Sequence, residues 1–276
     1  MNVNQRWIIA IVVVVFLAGI GLVVVGKYKR GGENRSSGTS TASVGQMLGQ
    51  AAQYEAEGDQ LKAKDLYAQV VSDHPDYDKI EEVQDRLGAL SIVLITSNTP
   101  TPQTVLHEVV SGDSLGKLAR QYNTTMELIK KSNNLKSDVI RVGQKLRVWT
   151  APFTVLVDKS RNILILKTGE EVVKVYHVST GAGNSTPVGH FKIAAKLVDP
   201  VWFKAGSKPI PPESPENELG SRWMGFAENP QYGIHGTIKP NLIGQQATAG
   251  CVRLVNRDVE ELFDLLPSGT QVTIQD

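Results

Sequence analysis

The sequence predicts a multidomain chain: an N-terminal transmembrane helix, a small α-helical unit, a compact βααβ unit and a mostly-β domain, β-sandwich-like, with one helix. Three observations predict it. An uncharged apolar run covers Trp7 to Gly26. Apolar residues then recur at helical spacing to about residue 95, and at alternating spacing after residue 151. Polar or Pro/Thr-rich joints separate these stretches. With 276 residues the chain suits two or three small domains. A net charge of +1 gives no field for nucleic acid, and 41% hydrophobic residues suffice for real cores.

Residues 1–6 form a short tail and residues 7–26 a membrane anchor, because about 20 apolar residues cross a ~30 Å hydrocarbon core. The run is long for a signal peptide and no small-x-small cleavage site follows it. Arg6 precedes the span, whereas Lys27, Lys29 and Arg30 follow it. Charge alone therefore favours a cytoplasmic C-terminal side. Residues 27–43, rich in Gly, Ser, Thr and Asn from Gly31 on, read as a flexible linker.

Residues 44–95 read as helical. Ala51, Tyr54, Leu61, Leu66, Tyr67 and Val70 keep helical spacing. Gly58-Asp59 breaks the first helix, His74-Pro75 ends the second, and a third covers about Tyr77 to Leu90. The pattern A-x-x-Y-x-x-x-G-D-x-x-x-A resembles one tetratricopeptide-type repeat. Such repeats stabilise by stacking, so this one is a small bundle, a spacer or an adaptor for a protein partner.

Residues 96–105 form a linker and residues 106–149 a compact unit. His107 to Val110 reads as a strand, Ser114 to Tyr122 as a helix, and Lys145 to Trp149 as a second strand. Thr124 is placed to cap a second helix, with Glu127 at the capping-box position, and Asn133-Asn134 ends it. The strings H-E-V-V-S-G-D-S-L, L-A-R-Q-Y-N, L-I-K-K-S-N-N-L and I-R-V-G-Q-K-L-R-V resemble a LysM domain along its whole length. The resemblance implies binding to N-acetylglucosamine-containing glycans, with Gly112, Asp113 and Ser114 on one side and Asn133 and Asn134 opposite. Linkers on this plan make the unit removable from the rest of the chain.

Residues 151–276 alternate as strands at Phe153 to Val157, Ile163 to Lys167, Val172 to Ser179, His190 to Lys196 and Gln271 to Ile274. One helix spans about Asn256 to Leu266, with Asn256 as its N-cap. Cys251 is the only cysteine, so no intrachain disulfide exists, and a structural zinc site lacks ligands. It follows His235 by sixteen positions and sits in T-A-G-C-V-R-L. A thiol attacks an acyl group as thiolate, so a base is needed, and the imidazole of His235 supplies one. Gly250 leaves room for substrate and frees backbone N–H groups for an oxyanion. Arg253 has the fork geometry for a carboxylate. On base rates alone such a cysteine is a buried filler.

Context alters that balance. T-P-V-G at 186–189, I-P-P-E-S-P-E-N-E-L-G at 210–220, R-W-M-G at 222–225, Y-G-I-H-G-T at 232–237 and T-A-G-C-V-R-L at 248–254 resemble the L,D-transpeptidase catalytic domain of the YkuD type. The resemblance implies Cys251 as nucleophile, His235 as general base and acid, and Gly236 as the residue whose carbonyl orients the histidine. It also implies Gly250 and Cys251 amides as the oxyanion hole, Arg253 in a structural or substrate-holding role, and Thr248 in place of the commoner serine. Pro209 to Leu219, flanked by Trp202 and Trp223, is either a lid or simple packing.

The expectation is a membrane-anchored peptidoglycan L,D-transpeptidase of the cell envelope, its catalytic part extracytoplasmic. It would attack a tetrapeptide stem, release D-Ala, form a thioester and pass the acyl group to an amine. No metal or organic cofactor is required. The partners are peptidoglycan, the membrane and a possible protein at the helical unit. The alternative is a catalytically silent peptidoglycan-binding scaffold.

Overall fold

A computed structural model describes residues 37–204 and 206–276. The tail 1–6, the apolar run 7–26 and the linker to residue 36 lie outside the described residues. Among the described residues no helix is long and apolar enough to cross a membrane. The chain divides into two compact units between Ser91 and Ile92.

The first unit holds α1 (Ser37–Ala56), α2 (Gln60–Asp73) and most of α3 (Ile80–Thr96). The linker read as flexible to Ser43 is helical from Ser37, and α3 runs past Leu90 to Thr96. Gly58, at a φ of 81°, turns the chain, and Asp59 caps α2 by accepting from the Lys62 amide. Ala51, Ala63, Tyr67, Val70 and Ile80 meet in one core. The small Ala residues at the α1–α2 contact let those helices approach closely.

The second unit begins with the last residues of α3. Next come β1 (Thr104–Glu108), α4 (Leu115–Gln121), α5 (Met126–Ser132) and β2 (Lys145–Trp149), with β1 antiparallel to β2. Ser114 caps α4. The cap of α5 is Thr125, which accepts from the Leu128 amide; the capping expected of Thr124 is corrected, since its buried hydroxyl has no hydrogen-bond partner.

This βααβ module is fused to the β-rich domain after it rather than strung from it. Leu128 and Trp149 share one core with Phe153, Val155 and Leu262. The Trp149 ring stacks on Phe153 with centroids 5.6 Å apart. Arg147 donates to the carbonyls of Ile95 and Leu94, tying down the end of α3.

The remaining strands are β3 (Phe153–Asp158), β4 (Ile163–Thr168), β5 (Glu171–His177), β6 (Thr180–Gly181), β7 (Gly189–Val198), β8 (Arg222–Phe226), β9 (Gly233–His235), β10 (Gln246–Thr248), β11 (Val252–Arg253) and β12 (Gln271–Gln275). Eight of them run in the order β11-β9-β8-β7-β12-β3-β4-β5, and β6 pairs with β10 apart from them. The sheet turns at β7. Gly189 to Lys192 pair with β12, Ile193 onward pairs with β8, and the register slips between Ile193 and Ala195. A strand that serves two half-sheets through such an irregularity lets both inner faces share one core, the sandwich-like element of the expected fold.

The one helix of this domain, α6 (Asn256–Leu265), buries Val259, Leu262, Phe263 and Leu265. Its N-cap position is Val255, without a side-chain cap bond. Asn256 is therefore not the N-cap that the sequence suggests. Its Oδ1 instead accepts from the Ser221 and Thr237 amides, 3.3 and 2.9 Å away.

Candidate active site

Strand register sets Arg253 beside His235, with Cys251, whose Sγ lies 3.8 Å from the Gln231 carbonyl, two residues before Arg253. In the parallel pair of β11 and β9, Val252 lies beside Ile234 and Arg253 beside His235. Val252 and Ile234 are fully buried in the core. Side chains alternate across a strand, so Arg253, His235 and Cys251, just before β11, face the opposite side. Trp223 pairs with His235 across β8 and β9 and stacks on its ring, with centroids 5.8 Å apart.

His235 is 4% exposed. Its Nδ1 lies 2.7 Å from the Gly236 carbonyl, which selects the tautomer with Nδ1–H donating. Burial, and then the Arg253 charge, lowers its pKa to about 4 against the pull of the Gly236 and Leu219 carbonyls and Glu218. Burial pushes the half-buried Cys251 thiol up to about 11, opposed by the Gly233 backbone and Arg253. Both groups therefore rest neutral at pH 7, as thiol and imidazole.

The turn before Cys251 is braced from inside. Thr248 Oγ1 accepts from the Gly250 amide at 3.1 Å and donates to the Cys251 carbonyl at 2.7 Å. The buried Thr248 hydroxyl thus fixes the turn before Cys251, and the Gly250 N–H is already held. Gly250 has a φ of +136°, and a Cβ there would collide with the Tyr232 ring. Gly236 is constrained by close approach, because a Cβ would strike Asn256 Oδ1.

Arg253, 5% exposed, does not present a free fork. Its Nη2 donates to Glu218 at 3.0 Å, and its buried Nε and Nη1 have no hydrogen-bond partner. Glu218 also accepts from Lys239 at 2.7 Å. It ends the Pro-rich segment, which folds on itself: Trp202 and Ile210 exchange backbone hydrogen bonds, and the buried Asn217 donates to the Pro200, Ile210 and Pro211 carbonyls. Outside Glu218 lies a cleft of about 610 Å³ lined in part by Lys204, Lys208, Glu216, Ile238 and Lys239.

The residues suggested for glycan binding are largely committed internally. Asp113 accepts from the Val110 amide and meets His107 at 3.0 Å; these bonds, the backbone one first, lower its pKa. Ser114 caps α4. Asn133 bridges to β2 through the Arg147 amide and carbonyl. Gly112 and Asn134 are exposed, each with positive φ. An open groove of about 640 Å³ lies instead along Ser137 to Gln144, where Val139 and Val142 are exposed. Sequence reasoning passed over that loop, and also Glu218, Asn217 and the bridging role of Asn256. Only the exposed valines gave a local signal, as apolar residues in a turn-rich stretch.

A half-buried thiol and a buried imidazole on one face of a bent mixed sheet, fused to a βααβ module, define a two-module protein with the parts for acyl transfer. The L,D-transpeptidase catalytic domain model matches residues 152–274, and the LysM domain model matches residues 107–149. The chain is 39% identical over 127 residues to "Putative L,D-transpeptidase YqjB" of Bacillus subtilis (strain 168), covering 44% of this chain and 70% of that protein. It is 27% identical over 175 residues to "Putative L,D-transpeptidase YkuD" of the same organism, covering 61% of this chain and 97% of that one. The chain belongs to the L,D-transpeptidase family and is an L,D-transpeptidase that carries a peptidoglycan-binding LysM domain.

Proposed function

We propose that the enzyme works through a Cys251 thioester. The observation that supports this is the parallel register of β9 and β11, which pairs Arg253 with His235 just after Cys251. The Cys251 Sγ attacks the carbonyl between the diamino acid and the terminal D-Ala of a tetrapeptide stem. His235 takes the thiol proton and passes it to the departing D-Ala amine. The developing oxyanion is assigned to the Cys251 amide, because the Gly250 N–H is held by Thr248. An amine, such as that of a neighbouring stem's diamino acid, then attacks the thioester. Its proton goes to His235 and on to the Cys251 sulfur, which restores the thiol.

In this reading Gly236 orients the histidine, Thr248 and Gly250 shape the nucleophile's turn, and Arg253, buried and paired with Glu218, has the structural role. The LysM domain holds glycan near Gly112 and Asn134, while Asp113, Ser114 and Asn133 shape the surrounding loops. Residues 7–26 anchor the enzyme to the membrane with its catalytic part on the wall side, and the helical unit receives a protein partner. Turnover of disaccharide-tetrapeptides tests the catalytic assignment. Wild type releases D-Ala and forms cross-linked dimers, while Cys251→Ala and His235→Ala do neither and still pellet with peptidoglycan. D-Ala release by Cys251→Ala would refute the assignment.

A further inference from the structure

We propose that Glu218 is a positioning residue that holds Arg253 against the Cys251–His235 pair and couples the Pro-rich segment to the catalytic strands. The proposal rests on the thioester reading above. Glu218 joins three parts of the site. Its Oε2 accepts from Arg253 on β11, its Oε1 accepts from Lys239 in the loop after His235, and it directly follows Asn217, whose side chain closes the segment onto the Pro200 carbonyl. Its neighbours leave it little freedom. Asn217 is 1% exposed, ties the start and middle of the segment together, and accepts from the Leu219 amide. Gly220 packs so closely on Asn256 and Thr237 that it admits no side chain.

The arrangement answers a problem posed by Arg253. A guanidinium sits in the core-lining sheet beside His235, in the adjacent register position. Unbalanced, its charge opposes formation of the imidazolium that proton transfer requires. Glu218 is the carboxylate within hydrogen-bond distance of it, and it offsets that charge while leaving Nε and Nη1 unpaired. The charged and titratable groups around the imidazole are then Arg253 and Cys251 from β11 and its approach, Glu218 from the segment, and Lys239 behind Glu218. Glu218 touches no reacting atom; it acts through Arg253 and His235.

The test is the pH dependence of D-Ala release by the full chain for wild type, Glu218→Gln and Glu218→Asp. Gln keeps the shape and removes the charge. The proposal expects kcat/KM to fall about tenfold in Glu218→Gln, with KM changing less than kcat, as a weakened base produces. It also expects the acidic limb of the profile to move to lower pH, since the imidazolium has lost its nearest carboxylate. Glu218→Asp restores the position of the limb and part of the rate. A merely structural loss opens the site to water and moves the limb upward toward the ordinary histidine value of about 6.5. That upward movement, or an unshifted limb with a rate within about twofold of wild type, overturns the proposal. Wild type that releases no D-Ala defeats the thioester reading, and this proposal with it.

Discussion

In the proposed mechanism His235 and Cys251 carry the proton. With the imidazole at about 4 and the thiol at about 11, the resting pair is neutral, so in the proposed mechanism the proton moves during attack. A thiolate–imidazolium enzyme would lose activity as its histidine deprotonates; the proposed mechanism needs the neutral base. The expected kcat/KM profile is flat through neutrality and falls only toward pH about 4. A limb near the unperturbed ~6.5 would contradict this. Stability shares the sign. The folded pKa lies below the unfolded one, so the unfolded chain binds the extra proton first. His235's contribution is complete above the unfolded value and is lost as pH falls through about 4. Both residues were legible in the sequence because Y-G-I-H-G-T and T-A-G-C-V-R-L are contiguous strings. Glu218 was not, because its meaning depends on Arg253, thirty-five positions away.

At the level of elements, the site is held by side chains that reach between them. Asn256 opens α6 yet hydrogen-bonds the amides of Ser221 and Thr237, before β8 and after β9. A local reading of sequence gives Asn before a helical stretch the role of a cap, because capping needs only neighbours. A bridge across the fold leaves no such periodic trace. Asn256→Ala strands two backbone N–H groups and is expected to destabilise the domain by about 1–3 kcal/mol in urea unfolding, with Asn256→Asp retaining most of the stability. A loss within about 0.5 kcal/mol for the alanine variant would show that water replaces the bridge. The long strands β3, β4, β7 and β12 were readable from alternation. The short β6, β9, β10 and β11 were not, since two or three residues carry no measurable period.

For the whole molecule, the main correction concerns modularity. Composition marked residues 96–105 as a linker and made the LysM domain look removable. Instead Leu128 and Trp149 belong to the catalytic core, Lys131 pairs with Asp264 at 2.5 Å, and Thr125 donates to the Asp264 carbonyl. Deleting residues 107–149 is thus expected to abolish turnover together with peptidoglycan pelleting, because it uncovers α6 and the Phe153 edge. Full activity in the deletion variant, followed by D-Ala release, would restore the independent-module picture. Chain order and the matched domains were legible from sequence; the shared core was not, because contacts between modules are long-range.

Whether the acyl group passes through Cys251 is decided by the intact mass of the enzyme after rapid mixing with a disaccharide-tetrapeptide lacking an acceptor amine. A thioester intermediate predicts an adduct equal to the substrate less D-Ala, mapped to Cys251 and absent from Cys251→Ala. D-Ala release with no covalent species at Cys251 under single-turnover conditions, or the same adduct on Cys251→Ala, would contradict it.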